Sequence, residues 1–321
     1  MPKLNGLGFV DKFGTYFLIF LLLIIGVCVS EKFLSASNML NILDAVSYLG
    51  ILACGMALVT YCGQLVDLST PSTVAVASFT AVLTLKWGVV PMIICVLASG
   101  VLLGLINGVV VGILRINTVV WTLAMSFVFA GLIRVVFGST NIYPTEGNLQ
   151  LFEKISRFRV GGMVPVSVIV MLVLMIALHI LVSYSRFGRQ MKMVGCSEMA
   201  AKYSGINVFR VICVAFIGSG VAAAITGLFI ASLSKSACYN YGGGYEFRAI
   251  TAVVLSGMVL DGGKGSIIGV LGGVLAIGLM NNIMTLLGLN TFLQNVVTGT
   301  VFILVVWLTK YTSKKMEAAN G

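Results

Sequence analysis

Ten apolar runs dominate this chain, near residues 13–30, 45–63, 69–86, 89–113, 117–137, 164–184, 208–231, 247–260, 266–288 and 293–309. The long ones approach the ~20 residues a helix needs to cross a bilayer. Hydrophobic residues make up 59% of the chain and charged ones only 9%, against roughly 25% charged in soluble domains. In lipid the backbone must satisfy its own N–H and C=O groups, which leaves helices or closed barrels. Barrel strands would be alternating segments of about ten residues, whereas these runs are continuous. The sequence therefore predicts an all-α polytopic membrane protein of about ten transmembrane helices. The runs at 45–63, 69–86 and 247–260 are short or interrupted by Gly, Pro and Ser, so some helices are expected to be broken.

Charge sets the expected orientation. With an even number of spans, Lys3, Lys12, Lys310, Lys314 and Lys315 share a side with Arg115, Lys264 and the cluster Arg186, Arg189, Lys192, Lys202 and Arg210. The other side holds Lys32, Lys86 and Lys235 in short loops and Lys154, Arg157 and Arg159 in the longest one. Lys and Arg in short loops stay cytoplasmic, so both termini and the 185–207 loop are expected inside. The net charge of +10 is accounted for by basic loops beside anionic lipid and requires no nucleic acid. The seven cysteines are scattered, with no C-x-x-C pair, so neither a metal site nor a disulfide framework is expected.

Two segments echo each other. Gly104-Leu105-Ile106-Asn107 leads into Leu114-Arg115-Ile116-Asn117-Thr118, and Gly278-Leu279-Met280-Asn281-Asn282 leads into Leu287-Gly288-Leu289-Asn290-Thr291. The first Asn-Thr turn falls inside and the second outside, as in a five-plus-five inverted repeat, with the pathway where the halves meet near the midplane. No catalytic constellation is present, and no cofactor is called for. His179 lies in an apolar run, as a packed residue would. Asp67 is the one acid between two spans without a clear loop around it, and an intramembrane acid points to function. It reads first as the N-cap of a helix with Pro71 in its first turn; the sharper reading is a break that opens the backbone and Gln64 to a polar cavity, and the two are compatible. Gly262-Gly263-Lys264-Gly265-Ser266 fails as a phosphate loop, because Gly265 follows the lysine and Met258 stands where the first glycine belongs. It is expected to be a tight cytoplasmic turn in a chain that cannot hydrolyse ATP by itself.

The stretch from Gly188 to Ile206 is polar where its surroundings are not. Ser197 can cap a helix, Glu198 suits its positive end and can pair with Lys202 at i+4, and Gly205 can end it. Met199 and Tyr203 share one face, while Ala200 and Ala201 leave another nearly flat. A helix that short needs a partner, either its own membrane domain or another protein's groove.

The run Gly195…Glu198…Ala200…Ser204-Gly205-Ile206 resembles the cytoplasmic coupling loop of ribose-type sugar ABC transporter permeases. Gly242-Gly243-Gly244-Tyr245-Glu246…Ala249-Ile250…Ala252-Val253-Val254-Leu255…Gly262-Gly263-Lys264-Gly265, Asp67-Leu68-Ser69 and Leu279 to Asn282 match further motifs of that family in order. Thr70-Pro71-Ser72 replaces the usual Val-Gly-Ser, one extra residue lies between Gly63 and Asp67, Cys196-Ser197 replaces Gly-Asn, and Ser256 stands where Gly is common. The first departure lies near the expected pathway, so the solute need not be ribose. The resemblance implies a single permease domain over 1–321 in the inner membrane, with a coupling loop near 185–207. It further implies two cytoplasmic ATP-binding subunits, a second permease subunit and an extracytoplasmic solute-binding protein. Gly195, Glu198, Ala200, Ala201, Ser204 and Gly205 would then couple to the ATPase. Gln64, Asp67, Asn107, Asn117, Asn281 and Asn282 are the polar candidates for the pathway, although asparagines also serve helix packing. An ion-coupled secondary transporter is the rival; it should carry coupling carboxylates within spans, and only Asp67, with Glu246 at a span edge, is offered.

Overall fold

The computed structural model describes the backbone of residues 6–320 and the side chains of residues 14–307. The terminal lysines at 3, 12, 310, 314 and 315, on which the expected orientation partly rests, lie outside the described side chains. Each apolar run holds one helix: α1 (Gly6–Val29), α2 (Ala36–Tyr61), α3 (Thr70–Thr84), α4 (Val89–Leu114), α5 (Thr118–Phe137), then, after α6 (Leu149–Arg157), α7 (Val166–Tyr184). The polar helices α8 (Arg186–Cys196) and α9 (Glu198–Tyr203) follow, and then α10 (Val208–Ser234), α11 (Tyr245–Leu255), α12 (Val270–Leu286) and α13 (Thr291–Asn320). Between α6 and α7 a two-stranded hairpin pairs β1 (Arg159–Val160) with β2 (Val164–Pro165). Among the described residues five helices, α2, α4, α5, α7 and α10, are long and apolar enough to cross a membrane. The apolar parts of α1, α12 and α13 are shorter, and α3 and α11 run only 15 and 11 residues.

Burial separates centre from rim. In the most apolar stretch of α2, 83% of residues are buried, and in α10, 72%; α4, α5 and α7 reach only 28%, 17% and 22%. α2 is therefore the central post, packed by α7, α10, α11 and α12. The exposed Phe127, Val135, Val173 and Ile180 on the rim helices are what lipid would cover.

The closest helix pair is α4 with α10, and its cause is a glycine every fourth residue. A methyl at Gly100 would lie 2.5 Å from the Gly220 carbonyl oxygen, at Gly104 2.4 Å from that of Phe216, and at Gly108 2.7 Å from the Cys213 Cα. With lipid as apolar as leucine, helices gain by such backbone approach rather than by hydrophobic burial.

The loops gather at two ends. At one, which we call the hairpin end, Ile142 bridges Ala237, Glu153 pairs with Lys235 at 2.8 Å, and Arg159 reaches Asp44 at 3.3 Å. The Lys235 ammonium beside Glu153 holds that carboxyl below its usual range. At the other, the glycine end, the turns after α2 and α4, the α8–α9 segment and the 256–269 loop meet.

Candidate coupling and translocation site

The 185–207 segment folds as two helices where the sequence suggested one. Ser185 starts α8, its hydroxyl accepting from the Gly188 N–H at 2.9 Å. Gly188 fits there because a methyl would strike the Val182 carbonyl oxygen at 2.0 Å. Ser197 breaks α8 from α9 and caps the latter, accepting from the Ala200 N–H at 3.2 Å. α9 closes as a Schellman turn: the N–H groups of Ile206 and Gly205 donate to the carbonyls of Ala201 and Lys202, both at 3.0 Å, with Gly205 at φ +75°.

Two faces of α9 differ from expectation. Glu198 does not pair with Lys202. Its carboxylate turns inward, where Gln64 Nε2 donates to Oε1 at 2.8 Å and the Arg115 guanidinium contacts Oε2. A fixed amide and a cation at the turn after α4 outcompete a flexible lysine on an exposed surface. The two alanines also part company. Ala201 is wholly buried in the core of its own chain, whereas Ala200 is exposed between Met199 and Tyr203, which are 63% and 84% exposed. Ser204 is exposed, its hydroxyl returning to the Ala200 carbonyl at 2.9 Å.

Gly195 serves a different purpose from a surface contact. A methyl there would lie 2.2 Å from the Tyr61 carbonyl oxygen and 2.6 Å from the Gly263 nitrogen. Those two atoms are hydrogen-bonded to each other at 2.9 Å. A methyl at Gly262 would in turn meet the Gly63 Cα at 2.5 Å. Four glycines thus weld the end of α8, the turn after α2 and the 256–269 loop, which is what the failed phosphate-loop sequence provides.

From Gly63 the chain runs irregularly to α3 through the protein interior. Leu65 takes φ +55°, and Thr60 Oγ1 donates to its carbonyl at 2.7 Å. Asp67 is 2% exposed and is not the helix N-cap, a position held by Ser69. Its carboxylate instead accepts from the Ser69 N–H at 3.0 Å, Ser69 Oγ at 2.6 Å and Ser219 Oγ of α10 at 2.8 Å. With three donors on it, the acid closes the break rather than capping a dipole. Pro71 does fall in the first turn of α3. Ser69 Oγ receives Asn107 Nδ2 at 2.7 Å, and Asn107 Oδ1 receives the Trp121 indole N–H at 3.1 Å. Gln64 Oε1 accepts from Thr118 at 3.0 Å, and the Leu68 N–H donates to Thr122 at 3.0 Å. Sequence reading missed Arg115, Thr118, Trp121 and Ser219 as members of this network.

Gln64, Asp67 and Asn107 therefore belong together, and Glu198 joins them through Gln64. The other asparagines lie apart. Asn117 is an exposed cap of α5, accepting from the Val119 and Val120 N–H groups. Asn282 forms a reciprocal amide clasp with Asn38 of α2, at 2.8 and 3.0 Å. Asn281 buries an Oδ1 with no partner. His179 stands edge-on to Tyr184 beside Ser183. Among the described residues no group of three His, Cys, Asp or Glu side chains could hold a metal.

The family described as "branched-chain amino acid transport system / permease component" matches residues 38–306. The ribose import permease of Bacillus subtilis is 35% identical over 308 residues, covering 95% of each chain. That of Escherichia coli K12 is 33% identical over 90% of this chain and 91% of its own. The galactose/methyl galactoside import permease of Escherichia coli K12 is 30% identical over 98% and 99%. No solved structure matches the chain.

Proposed function

The chain belongs to the ribose-type permease family of binding-protein-dependent ABC importers, and from that premise we propose that it forms the translocation pathway for a sugar. Relatives named for ribose and for galactose, 35% and 30% identical, both match nearly the whole chain, which supports a monosaccharide as the solute class. The ATP is hydrolysed by partner subunits, two per importer, which act on a pair of permease chains supplied with solute by an extracytoplasmic binding protein. The chain is one permease domain of ten spans in two inverted halves. That arrangement is supported by opposite directions: α4 runs from the hairpin end to Arg115 at the glycine end, while α12 runs from the glycine end to Asn282 beside the start of α2. The glycine end and both termini face the cytoplasm. A single cysteine at the exposed Gln190, in a chain otherwise free of cysteine, should react with an impermeant maleimide in inverted vesicles and not in intact cells; labelling of intact cells would reverse the topology.

The observation that carries coupling is the Gln64–Glu198 hydrogen bond, which joins an exposed helix to a buried break in the membrane domain. The partner meets α9 on the exposed Met199–Ala200–Tyr203 face, and Gly195, Ala201 and Gly205 shape the helix behind it. Ala200→Trp should leave the chain folded, reduce ATPase co-purification and abolish uptake. Ala201→Trp should instead destabilise the chain itself, since overpacking costs about 1–3 kcal/mol or more. Normal ATPase binding and uptake by Ala200→Trp would show that α9 is only a connector.

A further inference from the structure

The motif that opens α11 faces a cavity that the coupling network does not touch. It lies between α11 and α13, holds about 470 Å³ while open on one side, and is walled by Glu246, Phe247, Asn295, Thr298, Gly299 and Phe302. The volume is within the range of small-molecule sites, ~300–1,000 Å³. Two features separate it from a packing defect. Glu246 Oε2 is buried with no hydrogen-bond partner, and so is Nε of Arg248, whose Nη2 reaches Asn295 Oδ1 at 3.4 Å. A buried polar atom left unpaired costs free energy that a ligand or water can return. Gly244, at φ +84°, lets the backbone turn so that the acid and Asn295 come to the same wall.

We infer that this cavity is a contact site for the solute in transit, and that it takes a neutral polyhydroxylated ring. The carboxylate of Glu246 accepts from hydroxyls, the Asn295 amide can donate, and Thr298, whose own hydroxyl donates to the Gln294 carbonyl at 2.8 Å, can still accept, which suits neighbouring hydroxyls that do both. Phe247 and Phe302 offer flat apolar faces to the C–H side of a pyranose or furanose. Arg248, which stands behind the wall and not in it, offsets the charge of Glu246, so a charged solute would leave one of the two uncompensated. Only a few polar groups line the wall, which suits a pore that must release what it holds.

The inference rests on the importer reading, and the test separates the two. Gly299 supplies the probe, because nothing lies within 4 Å of a Cβ built there. Gly299→Cys in a chain otherwise free of cysteine, assembled with its ATPase and binding protein in proteoliposomes, is labelled with an impermeant maleimide while D-ribose or D-galactose is titrated. One of the two sugars should slow labelling about tenfold when it fills nine-tenths of the sites, by simple mass action, and an equal concentration of the anion gluconate should not. Adding Glu246→Gln should remove the protection and lower uptake, with ATPase co-purification showing that the complex still assembles; Thr298→Val should weaken both less. If the unlabelled complex imports a sugar yet that sugar gives no protection, or Glu246→Gln keeps protection and uptake, the cavity is not the contact site and the importer reading stands. If the complex imports neither sugar under any energised condition, both fall together.

Discussion

Gly195→Ala should lower the thermal midpoint of the detergent-purified chain and weaken its hold on the ATPase. The added methyl would sit 2.2 Å from the Tyr61 carbonyl oxygen and 2.6 Å from the Gly263 nitrogen, wedging apart a 2.9 Å hydrogen bond. Each neighbour is backbone, so none can yield by changing rotamer. Overpacking of this kind costs about 1–3 kcal/mol, occasionally more, and here the displaced element is the segment proposed to meet the ATPase. Gly131→Ala is the comparison. That glycine lies inside α5 with nothing within 4 Å of its would-be Cβ, so alanine should gain up to ~1 kcal/mol of helix propensity. The two substitutions should move the midpoint in opposite directions; equal shifts would mean that the glycine junction contributes nothing.

Gln64→Leu should separate ATP hydrolysis from transport. It removes the donor to Glu198 Oε1 and the acceptor of Thr118, two bonds of 2.8 and 3.0 Å, while keeping volume. Glu198 retains Arg115, so the carboxylate is not stranded. The expected result is a complex that still hydrolyses ATP but imports sugar about 5- to 150-fold more slowly, the range for coupling energies of ~1–3 kcal/mol. Arg115→Ala should do less, because that pair is 48% and 37% exposed and exposed pairs contribute ~0–1 kcal/mol. Unchanged uptake by Gln64→Leu would place the coupling elsewhere.

Features set by neighbours in sequence were legible in it. The apolar runs place the helices, Ser197 and Gly205 place the ends of α9, and Pro71 marks the first turn of α3. What required the fold was partner choice. Glu198 has a lysine four residues away, yet binds residues 134 and 83 positions distant. Asn107, Asn117 and Asn282 share one side chain and have three fates, in the buried network, at a cap and in a clasp, decided by which way each helix is turned. The glycines at 100, 104, 108 and 112 are a different case: their four-residue spacing is plain in the sequence and signals the α4–α10 contact. Ala201 looked like part of a docking face because a flat surface serves an outer partner and an inner one equally well.

The glycine junction also determines where motion can be taken up. Backbone laid on backbone has almost no give, so a push received at Met199 and Tyr203 would be passed to the foot of α2 with little loss, as through a rigid crank. Compliance would then lie one step further on, in residues 65 and 66, where no helical hydrogen bonds resist bending and Leu65 already departs from ordinary geometry. That short span would become the fulcrum, and the side chains anchored beyond it, Asp67 on Ser219 and Ser69 on Asn107, would mark how far the stroke can travel before the membrane helices themselves must turn.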